Sequence, residues 1–420
     1  MKFLSVKFSL ILLLALILGM VPLSIRGAAS EGRLLPRTRV KLGIDVLLDS
    51  RLALLKGKRV GLITNATGIN GKRESTVDLL WKNPKVNLVA LFAPEHGIRG
   101  NIPAGKRTKS SIDKKTGLPV FSLYGRTRKP TREMLKGIDV LVFDIQDIGV
   151  RYYTYIYTMA LSMEAAKENG IEFVVLDRPD PLGGIDVDGP VLEKKFKSFI
   201  GMYPIPIVYG MTVGEVAELF NNEFGIGAKL IVVKMKGWRR DLFFKDTGLP
   251  WVKPSPNIPT PRTAFLYPAT GFIGELGVVS IGIGTSRPFE YIGAPWIKAE
   301  ELAEELNHQH LPGVYFRPVH FRPHYALYAK KECHGIRIEV LNKKTFRPVD
   351  TGIYILSALK KLYPKRMKFS RRRGSFDRAM GTVKVRLALK AGKSPQEIIS
   401  SWQKGLKKFM AIRRKYLLYD

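Results

Sequence analysis

The amino-acid sequence reads as an α/β protein: an open, doubly wound, mostly parallel sheet followed by a smaller α/β unit. Three observations predict this. Near-continuous runs of Val, Ile and Leu recur between residues 59 and 233, as strands buried on both faces require. Segments with apolar residues three and four apart lie between those runs, so strands and helices alternate. Beyond residue 235 the composition changes to proline and tryptophan before a second alternating region begins.

In chain order, the first element is a targeting segment. Lys2 and Lys7 precede an apolar run from Phe8 to Val21, 14 residues broken only by Ser9 and Gly19. Small residues follow at Gly27, Ala28 and Ala29. This order marks a secretory signal peptide over residues 1–29, and the run is short for a membrane span, which needs about 20 apolar residues. Retention as an uncleaved anchor is the alternative. Either way the remainder is expected outside the cytoplasm, as an extracellular, cell-wall or periplasmic protein.

The amino-terminal domain is expected over residues 40–235. Its strands are read at Arg59–Thr64, Val86–Ala93, Ile138–Ile145, Glu172–Leu176 and Lys229–Val233. Its helices are read at Ser75–Lys82, Tyr155–Glu168 and Thr212–Phe224. Gly170 is placed to end the second helix. Thr212 with Glu215 forms a capping box for the third. Residues 236–275 hold Trp238, Trp251, Pro250, Pro254, Pro256, Pro259, Pro261 and Pro268. Proline fixes φ and lacks a donor, so this stretch is expected to be neither helix nor sheet interior. It reads as an ordered connection running over a cleft. Residues 276–420 form the second α/β unit. Its helices are expected at Trp296–Gln309, Gly352–Leu362 and Ser394–Met410, and its strands at Val314–Phe321 and Gly335–Leu341. Ser394, Pro395 and Glu397 supply the start signal of the last helix.

Composition narrows the function classes. The formal charge is +33, or +30 without Lys2, Lys7 and Arg26. Such an excess favours polyanions. For an exported protein these are anionic wall polymers, lipid headgroups or acidic sugars, and no nucleic-acid partner is expected. A basic surface with no specific partner is the alternative. The one cysteine, Cys333, allows no internal disulfide. No HExxH motif is present, so no catalytic metal is expected; no GxGxxG or P-loop follows the first strand, so no nucleotide cofactor is expected.

In open α/β sheets, ligands bind outside the carboxyl ends of the strands. Four consecutive strands here end in polar loops: Thr64-Asn65, Pro94-Glu95-His96-Gly97, Asp144-Ile145-Gln146-Asp147 and Asp177-Arg178. Glu95 stands out. Directly after a buried strand, a glutamate has little helix or strand value. Partial desolvation there would raise a carboxyl pKa toward that of a general acid. His96 is either a proton-transfer group or a hydrogen-bonded core residue.

These blocks also carry a family resemblance. Gly61-Leu62-Ile63-Thr64-Asn65, Pro94-Glu95-His96-Gly97 with Arg99-Gly100, and Phe143-Asp144-Ile145-Gln146-Asp147 with Arg151-Tyr152-Tyr153 are three of them. Asp177-Arg178-Pro179, Pro254-Ser255-Pro256-Asn257 and Arg287-Pro288-Phe289 are three more. On these the chain resembles the bacterial exo-β-N-acetylmuramidases of glycoside hydrolase family 171 over about residues 40–420. The resemblance implies a Rossmann-like amino-terminal domain, a smaller carboxy-terminal α/β domain, an active site in the cleft between them, and release of N-acetylmuramic acid from non-reducing ends of peptidoglycan. It implies Glu95 as the catalytic residue. Glu275 matches a family glutamate. Many members carry Ser-Glu-Gly-Arg-Gly-Thr where this chain has Ser280-Ile281-Gly282-Ile283-Gly284-Thr285.

Glycoside cleavage usually needs two carboxyl groups. Glu95 is expected as the acid, with Asp147, then Asp144, as its partner. The lactyl carboxylate of muramic acid calls for a guanidinium, and Arg99, Arg151, Arg178 and Arg287 are the candidates. Tyr153 and Trp251 are candidates for stacking on sugar faces. Asn65, His96, Asp177 and Glu275 complete the expected substrate-binding set. A non-catalytic peptidoglycan- or polyanion-binding protein on the same fold is the rival reading.

Overall fold

The computed structural model describes residues 40–95, 97–98, 110–125, 127–369 and 372–420. The expected signal segment lies outside these residues. The larger sheet contains β1 (Arg59–Thr64), β2 (Asn87–Ala93), β3 (Ser111–Ile112), β4 (Pro119–Ser122), β5 (Val140–Asp144), β6 (Glu172–Leu176) and β7 (Lys229–Val233). Their spatial order is β3-β4-β2-β1-β5-β6-β7. All pairs are parallel except β3 with β4 at the edge. The chain builds outward from β1 through β2 to β4, then returns to the other side of β1 with β5, β6 and β7. The switch point of the doubly wound fold therefore lies between β1 and β5.

Strand alternation explains the double burial. In β5, Val140 and Val142 enter one apolar cluster while Leu141 and Phe143 enter the other. In β1, Val60 and Leu62 part from Ile63 in the same way. Successive side chains point to opposite faces, so a sheet covered on both sides needs apolar residues at every position.

The helices are α1 (Gly43–Val46), α2 (Thr76–Trp81), α3 (Tyr155–Glu168), α4 (Val213–Glu218), α5 (Pro261–Gly274), α6 (Ala299–Asn307), α7 (Pro348–Leu362), α8 (Arg373–Met380), α9 (Lys384–Lys390), α10 (Pro395–Ser400) and α11 (Gln403–Arg414). The capping box at α4 forms as expected: the Thr212 hydroxyl accepts from the Glu215 amide at 3.3 Å, and the Glu215 carboxylate accepts from the Thr212 amide at 3.0 Å. Ser394 and Glu397 repeat this at α10. The expected last helix is broken, however, into α10 and α11.

A smaller antiparallel sheet, ordered β8-β10-β9, contains β8 (Tyr291–Ala294), β9 (Val314–Phe321) and β10 (Cys333–Val340). Phe316, Ile336 and Ile338 from this sheet share one apolar cluster with α5, α7 and one face of the large sheet.

The proline-rich stretch corrects a sequence expectation, because its second half is α5. Pro261 sits at the first helical position, where no amide donor is needed, and the Thr260 hydroxyl caps the Thr263 amide. Pro268 lies inside the helix. A proline there costs about 3 kcal/mol. Ala264, Phe265, Leu266, Ala269, Phe272 and Ile273 are all buried around it, and that burial outweighs the missing bond.

Candidate active site

Parallel strands bring their carboxyl ends to one rim, but the rim has an open part and a closed part. The open part faces a cleft of about 1020 Å³. Glu95 follows β2 and Tyr124 follows β4, while Tyr152 and Tyr153 arrive from the loop after β5 and Tyr155 from the start of α3. Opposite them stand Tyr267, Gly271 and Glu275 from α5 and its end, Ile281 and Ile283, and Arg372 and Arg378 at α8. Gly271 matters sterically: a β-carbon there would meet the Tyr152 ring at 3.0 Å.

Glu95 is half-buried, and the Tyr124 hydroxyl is hydrogen-bonded to it. Burial, then the charge of Glu95 and that hydrogen bond, push the Tyr124 phenol up to about 12. Tyr155 is raised further, by burial and then by Glu95. Tyr267 is raised by burial, then by Glu275, Glu95 and Asp147. The three phenols therefore remain neutral hydroxyl donors at ordinary pH. The rings brace one another: Tyr153 meets Tyr155 edge-on at 5.0 Å and Tyr267 at 5.9 Å, a favoured aromatic geometry.

Glu275 is half-buried, and burial raises its pKa while Arg372 and Arg378 pull it back. Among the described residues, neither Arg372 nor Arg378 has a carboxylate within ion-pair distance. Arg128 lies over the Phe199 ring at 4.1 Å on the same cleft wall. Among the described residues, three guanidinium groups thus line the cleft.

The closed part of the rim corrects several expectations. Asp144 is fully buried; it accepts from Arg178 Nε at 2.5 Å and from the Thr76 hydroxyl at 2.5 Å. Arg178 also donates to the Ile69 carbonyl at 2.7 Å. Asp177 accepts from the Gly214 amide at 2.7 Å, the Thr212 hydroxyl at 2.8 Å and the Tyr419 hydroxyl at 2.5 Å. Arg151 has no exposed surface and donates to the carbonyls of Pro190, Ile205 and Ala379. Its burial lowers the guanidinium pKa to about 10. These four residues hold loops together and are not placed to grip a substrate.

Asn65 is buried and turns its amide oxygen to Thr67. Arg287 donates to Glu290 at 3.2 Å, away from the cleft lining. Trp251 packs edge-on against Phe244 at 4.7 Å, also outside the lining. His96 and Arg99 lie outside the described residues. Of the expected set, the cleft therefore brings together Glu95, Tyr153 and Glu275.

Asp147 is buried behind the lining. It accepts from the Gly149 amide at 2.8 Å and from the Tyr209 hydroxyl, and its second oxygen has no hydrogen-bond partner among the described residues. Burial, opposed by the Tyr209 bond, lifts its pKa from 3.8 to about 6. The folded state then holds a proton that the unfolded state has released between those two pH values. Stability from this group is full below about pH 4 and is lost as pH rises through about 6, by roughly 3 kcal/mol in all. Asp147→Asn is expected to flatten that part of the stability curve, read as the urea midpoint at several pH values. An unchanged slope would show that Asp147 ionises normally.

Sequence reasoning missed Tyr124, Tyr267, Arg128, Arg372 and Arg378. Nothing local marks them, because only the fold brings Arg372 and Arg378 to the cleft.

A family model described as exo-beta-N-acetylmuramidase NamZ, N-terminal, matches residues 60–262, and its C-terminal counterpart matches residues 265–419. The chain is 52% identical over 390 residues to the peptidoglycan beta-N-acetylmuramidase NamZ of Bacillus subtilis (strain 168), covering 93% of this chain and 94% of that protein. Among solved structures, a DUF1343 family protein of Bacteroides fragilis superposes with a TM-score of 0.87 at 45% identity, covering 92% of this chain and all of the other. A second one from that organism gives 0.73 at 33% identity, covering 91% and 99%.

Proposed function

The chain belongs to the exo-beta-N-acetylmuramidase NamZ family of glycoside hydrolases, and on that premise we propose that it releases terminal N-acetylmuramic acid from the non-reducing ends of peptidoglycan fragments. The observation that carries this reading is Glu95: a half-buried carboxyl on the wall of a sugar-sized cleft, bonded to a neutral tyrosine and ringed by aromatic side chains. Glu95 donates the proton to the leaving oxygen. Glu275 replaces Asp147 and Asp144 as the second carboxylate, because among the described residues it is the other one on the cleft wall. Arg372 and Arg378 oppose the rise that burial causes in its pKa. Glycoside cleavage with two carboxylates needs one proton donor and one group for the opposite face of the sugar.

The same two arginines give the cleft its preference for muramic acid. Two guanidinium groups face one carboxylate, so a positive charge is left over for the lactyl carboxylate, which a guanidinium can hold bidentately. Replacing Arg372 and Arg378 together with alanine is expected to raise KM for a chromogenic muramic acid glycoside about 10-fold to 100-fold, as loss of charged hydrogen bonds does. Hydrolysis of the N-acetylglucosamine glycoside, which has no lactyl group, stays at its low wild-type level. An equal loss on both sugars would defeat this assignment.

We also propose export and a role in cell-wall turnover. The basic start, apolar run and small residues of 1–29 support this reading. The net charge of +33 suits retention by anionic wall polymers or lipid headgroups. The deciding experiment for the activity incubates the protein with defined wall fragments and identifies the released sugar. Free N-acetylmuramic acid is the expected product. Binding without release would favour the wall-binding reading.

A further inference from the structure

The β9–β10 hairpin carries a cluster that the glycosidase reading does not use. His320 and His334 face each other directly across the two strands. Their Nδ1 atoms are 2.6 Å apart. Glu332 directly precedes β10, and its carboxylate lies beside the His334 ring. Phe321 and Cys333, between them, turn to the buried side. Donor atoms of His320, Glu332 and His334 all lie within 4.8 Å of one another. Glu300, from α6, comes within 4.0 Å of His320 Nε2, on the far side of the ring, where a carboxylate orients a metal-binding imidazole.

We propose that His320, His334 and Glu332 form a binding site for a divalent transition ion of the zinc class. Two imidazoles and a carboxylate are a usual zinc donor set, with Zn–N bonds of about 2.0–2.1 Å that hold two nitrogens about 3.3 Å apart. The imidazole pair reaches that spacing by a small rotation of the exposed His320 ring. Glu332 must leave Arg322, which it meets at 3.7 Å on the surface. A pair so exposed contributes little that would hold it back.

The position gives the site a structural consequence. The hairpin connection, residues 322–332, supplies Ala326 and Leu327 to the cleft wall. Ala326, Tyr328 and Lys330 have φ of 71°, 62° and 63°, a region that non-glycine residues rarely adopt. The connection is anchored by Tyr325 donating to Asn257 at 2.8 Å and Tyr328 donating to the Val278 carbonyl at 2.9 Å. An ion joining the two strands at the base of this connection stabilises the strained loop by binding only its folded form. The bound ion is structural: it lies on the sheet face beyond the cleft lining and takes no part in sugar cleavage.

The test uses the full chain stripped with a chelator and then titrated with zinc against a chromogenic zinc indicator. One equivalent per chain is expected at micromolar affinity. His320→Ala and His334→Ala are each expected to weaken binding by more than the roughly 10-fold to 100-fold that loss of an outer-sphere partner costs. His308→Ala, elsewhere on the surface, leaves it unchanged. Zinc is also expected to slow backbone hydrogen exchange across residues 322–332 in the wild type but not in His334→Ala. The proposal is overturned if no zinc binds at submillimolar concentration, or if both variants bind it as the wild type does.

Discussion

Glu95→Gln lowers turnover of a disaccharide substrate by about two to four orders of magnitude, the range that a positioned general acid contributes, while the urea midpoint is unchanged. Glutamine has the shape of glutamic acid and can still bond Tyr124, so the cleft wall persists. The turn around the residue is held by its own backbone, with the Gly97 amide donating to the Pro94 carbonyl at 3.1 Å. What is lost is the transferable proton. The loss should therefore depend on the leaving group. A nitrophenolate needs little protonation to depart, whereas a sugar alkoxide needs a great deal. The variant is expected to retain far more activity on the aryl glycoside than on the disaccharide. Equal losses on both would assign Glu95 to attack on the sugar instead of proton donation.

Arg178→Met destabilises the protein by about 3–5 kcal/mol, the cost of leaving one member of a buried ion pair without its partner. Asp144 has a side-chain exposure of 1% and Arg178 of 3%. Removing the guanidinium strands the carboxylate with only the Thr76 hydroxyl, and frees the Ile69 carbonyl that Arg178 also served. Asp144→Asn in the same chain is expected to recover part of the loss, because the charge without a partner is then gone. The urea midpoints of the two single variants and the double variant form the cycle that measures this. Turnover per folded molecule is retained in all three, because neither residue reaches the cleft. A turnover loss in the folded Arg178→Met protein would return Asp144 or Arg178 to the site.

The pair also shows where sequence reading stops. Asp144, Asp177 and Glu95 look alike in one dimension: each is an acidic residue at or just beyond the carboxyl end of a buried strand. Their difference is lateral. The end of β5 is closed by Thr76 of α2 and by Arg178, and the end of β6 by Thr212 and Gly214 at the start of α4 and by Tyr419, so Asp144 and Asp177 are enclosed and hydrogen-bonded. Strand β2 lies on the other side of β1, and its end opens on the cleft. Burial on both faces was legible, because it imposes unbroken Val, Ile and Leu runs, and four of the five strands predicted for the amino-terminal domain agree with the structure to within one residue at each end; the run at 138–145 is longer than β5 by two residues at its start and one at its end. The capping boxes at Thr212 and Ser394 were legible, because they are local chemistry. The α5 helix was not, because its proline is tolerated through burial supplied by distant elements. The cleft cations were not legible either: Arg372 and Arg378 share the cleft wall with Glu275 from about a hundred positions along the chain, and the pairing of His320 with His334 depends on a strand register that no local pattern announces.

The most direct measurement is a crystal structure of the Glu95→Gln protein with an uncleaved disaccharide that carries muramic acid at its non-reducing end. The account predicts the glycosidic oxygen within hydrogen-bond distance of residue 95, and the lactyl group turned toward Arg372 and Arg378. A sugar bound elsewhere, with residue 95 facing away from the scissile bond, would contradict it.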